Sequence, residues 1–464
     1  LERFVIRGTS LIGQKSLRSL GRGRWRGSRE VAHALLCAVA LCASVSPAGA
    51  APPAAAPEPP DPYALLDQVG RVLEIVENDY FEPVDRSLLV EGALRGMVSS
   101  LDPHSAYLSA QDFQIFQGDT EGRFGGIGVE VDFEDGRITV ISPVEGSPAD
   151  RAGIRPGDAI VAIDGQPVRG KKPDALVKQM RGEAGSHVLI SIKRDGEKNL
   201  LEFDLVREVI SVASVAGKLL DGHIAYLRIK SFQQGTHAEL ISTIGKLRKE
   251  AGGPLQGAVL DLRNNPGGLV SEAVAVADEF LSSGVIFSTR HRGKVLHEAR
   301  ATGAGALTRG PLVVLVNEFS ASAAELLAGA LKDNSRANVV GTKSFGKGSV
   351  QTIIDLPDGA GLKLTTALYY TPSGRAIQAQ GIQPDVQVEP GYVATKDYHV
   401  VREKDLEGHI PAQGPDKTEG KASEEGEQDL HLGVARNVPR NPTGSKDFAL
   451  SIAYQIVAGV LLRR

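Results

Sequence analysis

Between residues 255 and 334 the chain twice repeats one design: an unbroken apolar run, a short turn of Asn, Pro, Gly or Ser, and an apolar helix pattern. The first run is Q-G-A-V-L-D-L, followed by N-N-P-G-G and a helix expected over about 269–282. The second is P-L-V-V-L-V-N, followed by E-F-S-A-S and an alanine-rich helix. A strand without polar alternation is covered on both faces, and strands that alternate with helices pair in parallel. The expected class is therefore α/β, a layered core whose functional loops lie at the carboxyl ends of its strands. H-I-A-Y-L-R-I and a helix over 238–250 precede these units, and a strand pair around D-G-A-G follows them. Together they define a core over 208–395.

The flanks differ in texture. Residues 117–207 alternate polar and apolar positions between D-G and P-G-D turns, with a hairpin around Asp195-Gly196, as expected of one small β-rich domain inserted ahead of the core. Residues 63–116 read as helical, with Leu65, Leu66, Val69, Val72, Leu73 and Val76 at three- and four-residue spacing. Residues 51–62 form a Pro/Ala tether. Residues 396–446, rich in Glu, Lys, Gly and Asp, read as a charged, solvated linker, and 447–464 as one C-terminal helix too short and interrupted for a membrane span.

Charge is uneven. Residues 1–50 carry eight Lys or Arg and two Asp or Glu, which leaves 44 basic and 54 acidic residues in the remainder. An acidic body argues against nucleic acid as the main partner. The basic start, the apolar run 31–45 and the small residues Ala48 and Ala50 follow the order of a signal peptide over 1–50, with cleavage expected after Ala50. Such a chain is periplasmic or otherwise exported; an uncleaved leader acting as a membrane anchor is the alternative. Both cysteines, Cys37 and Cys42, fall in this leader, so the mature protein would have no thiol chemistry and no Cys-type zinc site.

Two serines, Ser320 and Ser322, precede the alanine-rich helix. Ser322-x-x-Glu325 is a capping box, and a cap alone explains it. Its place at the carboxyl edge of a sheet and the positive end of a helix also suits a nucleophile. A serine needs a base, and no histidine lies within twenty residues on either side. A lysine can serve if burial lowers its pKa by roughly 3 units, at a cost of about 4 kcal/mol. Lys347, between Gly346 and Gly348 in G-T-K-S-F-G-K-G-S-V-Q, sits in such a charge-poor setting, whereas Lys343 reads as an ordinary surface lysine. Gln351, four residues on and on the same face of an extended strand, would bond a neutral amine without adding charge. In D-L-R-N-N-P-G-G, paired glycines after a buried strand bare N–H groups suited to an oxyanion.

S-A-S-A-A-E, G-K-G-S-V-Q and D-L-R-N-N-P-G-G resemble the signatures of the carboxyl-terminal processing (tail-specific) proteases, and L-D-P-H-S-A-Y-L extends the likeness. The resemblance covers about 63–390. It implies a Ser–Lys serine endopeptidase on an α/β core similar to the crotonase/Clp-protease-like fold. Ser322 would be the nucleophile, Lys347 the general base and Gln351 its orienting partner. The N–H groups of Gly268 and Ala323 would form the oxyanion hole, Glu325 would organise the site through the cap, and Asp261 with Arg263 would be a structural pair beside the hole. No metal or nucleotide cofactor is implied.

F-G-G-I-G-V (124–129) and S-P-A-D-R-A-G-I-R-P-G-D-A-I-V-A-I-D-G (147–165) resemble a PDZ domain. Phe124, Gly125, Gly126, Ile127 and Gly128 would form its carboxylate-binding loop, and Arg181 is a candidate coupler to the core, or else an exposed helix-end arginine. Clustered N–H groups capture a terminal carboxylate while the adjoining strand edge pairs with the peptide. The expected partners are proteins or peptides with exposed C-termini, cut near that end. Helical ends suggest a homo-oligomer, and a regulatory adaptor has a place in such a scheme. The alternative function is a catalytically silent PDZ adaptor or chaperone, against which the intact Ser322, Lys347 and Gln351 argue.

Overall fold

The computed structural model describes residues 61–388 apart from 135, 306 and 308, together with 400–412 and 447–459. The leader, the tether through 60 and the charged stretch 413–446 lie outside the described residues. Helix α1 (Pro62–Asp79) begins where Pro62 suits a first turn and the Asp61 side chain accepts the Tyr63 N–H. It belongs to a unit separate from the body that starts at Ser87. In that body α2 (Arg86–Ser99), all but its first residue, leads to a short strand, β1 (Ala106–Leu108), and to α3 (Ala110–Glu121). The helical pattern expected over 63–116 is thus broken by a strand and continues to Glu121, where Gly122, at φ 70°, ends the helix in the left-handed region.

The β-rich insertion comprises β2 (Arg123–Gly126), β3 (Val129–Glu134), β4 (Arg137–Pro143), α4 (Pro148–Arg151), β5 (Ala159–Ile163), β6 (Gln166–Pro167), α5 (Pro173–Met180), β7 (His187–Lys193), β8 (Leu201–Val206) and β9 (Glu208–Ser211). Its sheet runs β3-β4-β5-β7-β8, with β6 beside β5. β2 and β9 pair antiparallel where the chain enters and leaves, so the insertion is closed at its neck and extends past 207. Inward residues of alternating strands, among them Val131, Ile138, Val140, Ile160, Ile190 and Ile192, form its own buried core.

The core follows with β10 (Val215–Leu220), β11 (Ile224–Ile229), α6 (Thr236–Glu250), β12 (Gly257–Asp261), α7 (Val270–Phe280), β13 (Val285–His291), β14 (Lys294–Arg300), β15 (Leu312–Val316), α8 (Ala323–Asp333), β16 (Asn338–Gly341), β17 (Ser349–Asp355), β18 (Gly361–Tyr370) and β19 (Val386–Gln387). The main sheet has the order β10-β11-β12-β15-β16-β19 and is parallel except for β10. The unbroken apolar runs have the expected cause. On β15, Leu312, Val314 and Val316 join the cluster formed with α6, α7 and α8, while Val313 and Leu315 face α9 (Phe448–Val457) on the other side. Each such side chain contributes about 1.5–3 kcal/mol on burial. A second, antiparallel sheet, β1-β18-β13-β14 with β17 on β18, completes a mixed α/β fold with an inserted β-rich domain.

Residues 400–412 depart from the solvated linker expected over 396–446. Glu403 is fully buried there, because its carboxylate finds partners that a charged composition does not reveal.

Candidate active site

Three loops leave the carboxyl ends of three neighbouring parallel strands. Residues 262–268 follow β12, 317–322 follow β15, and 342–348 follow β16. Segments up to eighty residues apart in sequence are therefore adjacent, at the strand edge where α/β proteins bind ligands.

Ser322 is the N-cap of α8 and holds φ 55° and ψ −117°. A non-glycine residue there stores of order 1–3 kcal/mol of strain, which the surroundings must hold. Much of the restraint comes from Glu325, which is fully buried. Its Oε2 accepts the N–H of Ser322 at 2.9 Å and that of Lys347 at 2.8 Å. Its Oε1 accepts the N–H of Gly346 at 2.7 Å and the Ser344 hydroxyl at 2.5 Å. The cap of the serine helix is thus also the anchor of the lysine loop. Burial pushes this carboxyl up to about 7, although four donors hold it down.

The Lys347 side chain takes no hydrogen bond or ion pair among the described residues. Burial first, and then the positive charge of Lys363, push its amine down to about 8, against the charges of Glu403, Glu325 and Asp102. Lys343 is exposed. Ser320 is fully buried; its hydroxyl donates to the Leu262 carbonyl at 2.8 Å and accepts the Asn317 N–H at 2.9 Å. It ties two loops together and has no room to attack a substrate.

The glycine turn packs against Ser322, whose Cβ would stand 2.8 Å from a Cβ at Gly267. Gly268 has φ 131°, and a Cβ there would stand 2.0 Å from the Phe232 carbonyl oxygen, so only glycine fits. Asn264 and Asn317 interlock, with Asn264 N–H to Asn317 Oδ1 at 2.9 Å and Asn317 Nδ2 to Asn264 Oδ1 at 2.8 Å. The Ala321 N–H donates to the Asn265 carbonyl at 2.9 Å. The N–H groups of Gly268 and Ala323 donate to no acceptor among the described residues, the second at the positive end of α8. Arg263 forks onto Asp261 at 2.9 and 2.6 Å, while Tyr226 donates to Asp261 at 2.8 Å. Arg263 also reaches Asp447, the N-cap of α9, at 3.0 and 2.6 Å.

Gln351 is placed differently from the sequence expectation. Its amide donates to Ser349 at 2.8 Å and Thr365 at 3.3 Å, and Lys347 is not among its partners. Lys347 precedes β17, and a bulge at Val350/Gln351 breaks the two-residue period on which a shared face depends. Thr365 continues to Asp102 at 3.1 Å, whose carboxylate also accepts the N–H groups of His104 and Ser105 and the Ser105 hydroxyl. Asp102 and His104 had no role in the sequence reading; L-D-P-H-S was the available signal.

In the insertion, Phe124, Gly125 and Gly126 lie on β2, followed by buried Ile127 and by Gly128 at φ 74°. The N–H groups of Ile127 and Gly128 take no acceptor among the described residues. β3 is the edge strand of its sheet. Leu176, Val177 and Met180 of α5 share an apolar cluster with Ile127, Val129 and Phe133. Arg181, at the end of α5, is not the exposed residue that a helix end suggests. It pairs with Asp119 of α3 at 2.7 Å, its side chain 15% exposed, and stacks on the Phe124 ring at 4.5 Å.

Among the described residues no group of three His, Cys, Asp or Glu is placed to hold a metal, and no helix is long and apolar enough to cross a membrane.

The sequence pattern of peptidase family S41 matches residues 223–388, that of a PDZ domain matches 125–205, and that of the activating protease CtpB N-terminal domain matches 52–112. A carboxy-terminal-processing protease of Bartonella bacilliformis is 42% identical over 401 residues, 86% of this chain and 89% of that protein. Carboxy-terminal processing protease CtpA of Bacillus subtilis is 36% identical over 329 residues, 70% of each. Among solved structures, a photosystem II D1 C-terminal processing protease is similar at 31% identity, covering 73% of this chain and 91% of that one, with a TM-score of 0.45. The identity and coverage of the curated relatives, together with the serine, lysine and glycine loops gathered at one sheet edge, establish that the chain belongs to the carboxy-terminal-processing proteases of peptidase family S41 and carries a PDZ domain.

Proposed function

We propose that this chain is a serine endopeptidase that holds the free C-terminal tail of a protein substrate in its PDZ domain and cuts near that tail, with Ser322 as nucleophile and Lys347 as general base. One observation carries the assignment of roles: the backbone of the strained Ser322 and that of Lys347 hang on the same Glu325 oxygen, and the half-buried Lys347 amine is pushed down to about 8. Neutral Lys347 takes the hydroxyl proton as Ser322 Oγ attacks the scissile carbonyl. The N–H groups of Gly268 and Ala323 receive the oxyanion, and the end of α8 favours its charge. The lysine then delivers its proton to the leaving amine, and water hydrolyses the acyl-enzyme by the reverse route. Gln351, whose Nε2 braces β17 to β18 through Ser349 and Thr365, would orient the amine through its Oε1, which can accept an amine N–H.

Tail capture rests on the free N–H groups of Ile127 and Gly128, the edge of β3 and the apolar wall of α5. The two-face coverage of the parallel sheet is in keeping with a crotonase/Clp-protease-like core. The basic, apolar, small-residue start of the sequence favours export to the periplasm or beyond, and self-association and a regulatory adaptor remain part of the proposal.

The test is cleavage of a protein with an apolar C-terminal tail, the products mapped by mass spectrometry. Ser322→Ala and Lys347→Ala should abolish the cut and Ser320→Ala should keep it. Full activity in Lys347→Ala would end the dyad, and tail binding without cleavage by the wild type would leave only an adaptor. Trimming the Phe124–Gly128 loop should weaken free-carboxylate peptides and spare amidated ones.

A further inference from the structure

Beyond the Ser–Lys roles, and resting on them, we propose that Arg402 and Glu403 are positioning residues that hold the 343–348 loop in the shape that presents Lys347, anchored by His104 and Gln378. The segment 400–412 lies past residue 388, where the match to the peptidase family ends. It nevertheless braces the lysine loop directly at three successive carbonyls, and at Gly348 through Gln378. Arg402 donates to the carbonyls of Lys343 at 2.8 Å and Ser344 at 2.7 Å. The Glu403 N–H donates to the Phe345 carbonyl at 3.3 Å. The Glu403 carboxylate accepts Gln378 Nε2 at 2.7 Å, and Gln378 Oε1 accepts the Gly348 N–H at 2.9 Å. Gln378 and Glu403 are both fully buried.

The approach is close enough to dictate the loop sequence. A Cβ at Gly348 would stand 2.3 Å from the Gln378 backbone nitrogen. On its other side Glu403 meets His104 Nε2 at 2.8 Å. One buried carboxylate thereby joins the L-D-P-H-S turn, the Gln378 turn and the lysine loop. A buried carboxylate with one partner removed is costly, so the three segments hold or loosen together.

Glu403 also acts through its charge. Burial pulls its carboxyl upward, yet bonds from His104 and Gln378, with the charges of His104 and Lys347, hold it below the usual range, so it is anionic. The charged groups around Lys347 are then Lys363, which favours the neutral amine, and Glu403, Glu325 and Asp102, which favour the protonated one. Removing the Glu403 charge should move the acid limb of the rate profile to lower pH, a shift that loosened packing alone does not produce.

The experiment uses the full chain and a quenched-fluorescent peptide ending in an apolar residue with a free carboxylate, with Lys347→Ala alongside. Arg402→Met should lower kcat about tenfold or more with KM within about twofold, since a misplaced base costs turnover rather than binding. Glu403→Gln should lower kcat at high pH and shift the acid limb downward. Gln378→Met combined with Glu403→Gln should be no worse than the poorer single variant, as expected of one linked unit. If Lys347→Ala is inactive while Arg402→Met and Glu403→Gln keep wild-type kcat and limb, the positioning role is wrong and the dyad stands. If Lys347→Ala is active, the dyad itself fails and the positioning role with it. A kcat loss in Glu403→Gln with an unmoved limb and a matching fall in Tm marks a purely structural residue and overturns the proposal. Should Glu403→Gln fail to fold, Arg402→Met decides by its kcat-to-KM split.

Discussion

Ser322 and Lys347 are joined backbone to backbone through a single atom: Oε2 of Glu325 accepts the N–H of both, at 2.9 and 2.8 Å. The two nitrogens are thereby fixed within two hydrogen-bond lengths of each other, although twenty-five residues separate them in sequence. The Glu325 carboxylate that caps this helix is also the part that registers the Lys347 loop against Ser322.

Glu325→Gln tests this. A glutamine offers one acceptor oxygen where the structure uses two, so at least one pair of buried donors faces an NH2 group. Losing partners for two buried donors costs about 2–4 kcal/mol. Denaturant melts should show that loss, and turnover should fall with it. Wild-type stability and kcat in the Glu325→Gln enzyme would mean that the shared oxygen is incidental.

Lys347 makes the site unstable in a pH-dependent way. Its amine titrates at about 8 when folded, against 10.5 for an ordinary lysine. Between these values the unfolded chain binds more protons, so stability rises as pH climbs through that window and is reduced below it. At neutral pH the penalty is about 3 kcal/mol. Lys347→Met should therefore be inactive yet melt higher than the wild type at pH 7, the gap closing toward pH 10. An equal or lower Tm at pH 7 would show that the amine is not desolvated as described.

Lys363, on β18, is the cation that helps keep Lys347 neutral. Lys363→Met removes that repulsion, so the Lys347 pKa rises and the acid limb of kcat moves to higher pH. The direction is opposite to that expected for Glu403→Gln, and a pH–rate series on the two variants reads both signs. Shifts of the same sign would refute this account of how the Lys347 amine is tuned.

The main sheet and the three loops at its carboxyl edge were legible in the sequence because each is local. An unbroken apolar run, a double glycine and a Ser-x-x-Glu are readable within about ten residues. Their adjacency followed once the strands were parallel. Asp102, His104 and Glu403 were not legible, because their contacts cross some 260–300 residues. Glu403 lies in a Glu/Lys/Gly-rich stretch whose composition signals solvation, and composition cannot show a carboxylate that has found buried partners. The bonds of Gln351 to Ser349 and Thr365 were not legible either, because the bulge beside it is invisible to an argument from two-residue period.

Arg181 bridges the insertion and the body, paired with Asp119 of α3 and stacked on Phe124 of β2. If the Phe124–Gly128 loop takes the tail, its occupation would disturb the ring on which Arg181 stacks. Arg181→Ala should change the activation of cleavage by a free-carboxylate peptide added in trans, while the fold, by circular dichroism, stays intact. Unchanged basal activity and unchanged response to peptide would remove Arg181 as a coupler.

Beneath the loop that carries Gly268, Arg263 is shared between Asp261 on β12 and Asp447 at the start of α9. Asp447 also caps α9 by accepting the Leu450 N–H at 3.0 Å. Asp447→Ala loses both the ion pair and the cap, and should cost about 2–4 kcal/mol. Asp447→Asn keeps a capping side chain and loses only the charge, so it should recover about 1 kcal/mol of that loss. Because Arg263 stands at the root of the loop that carries Gly268, Asp447→Ala should weaken a peptidyl boronate, which places an oxygen in the hole, more than it raises KM for the parent peptide. Equal effects on inhibitor and substrate would confine α9 to covering the sheet.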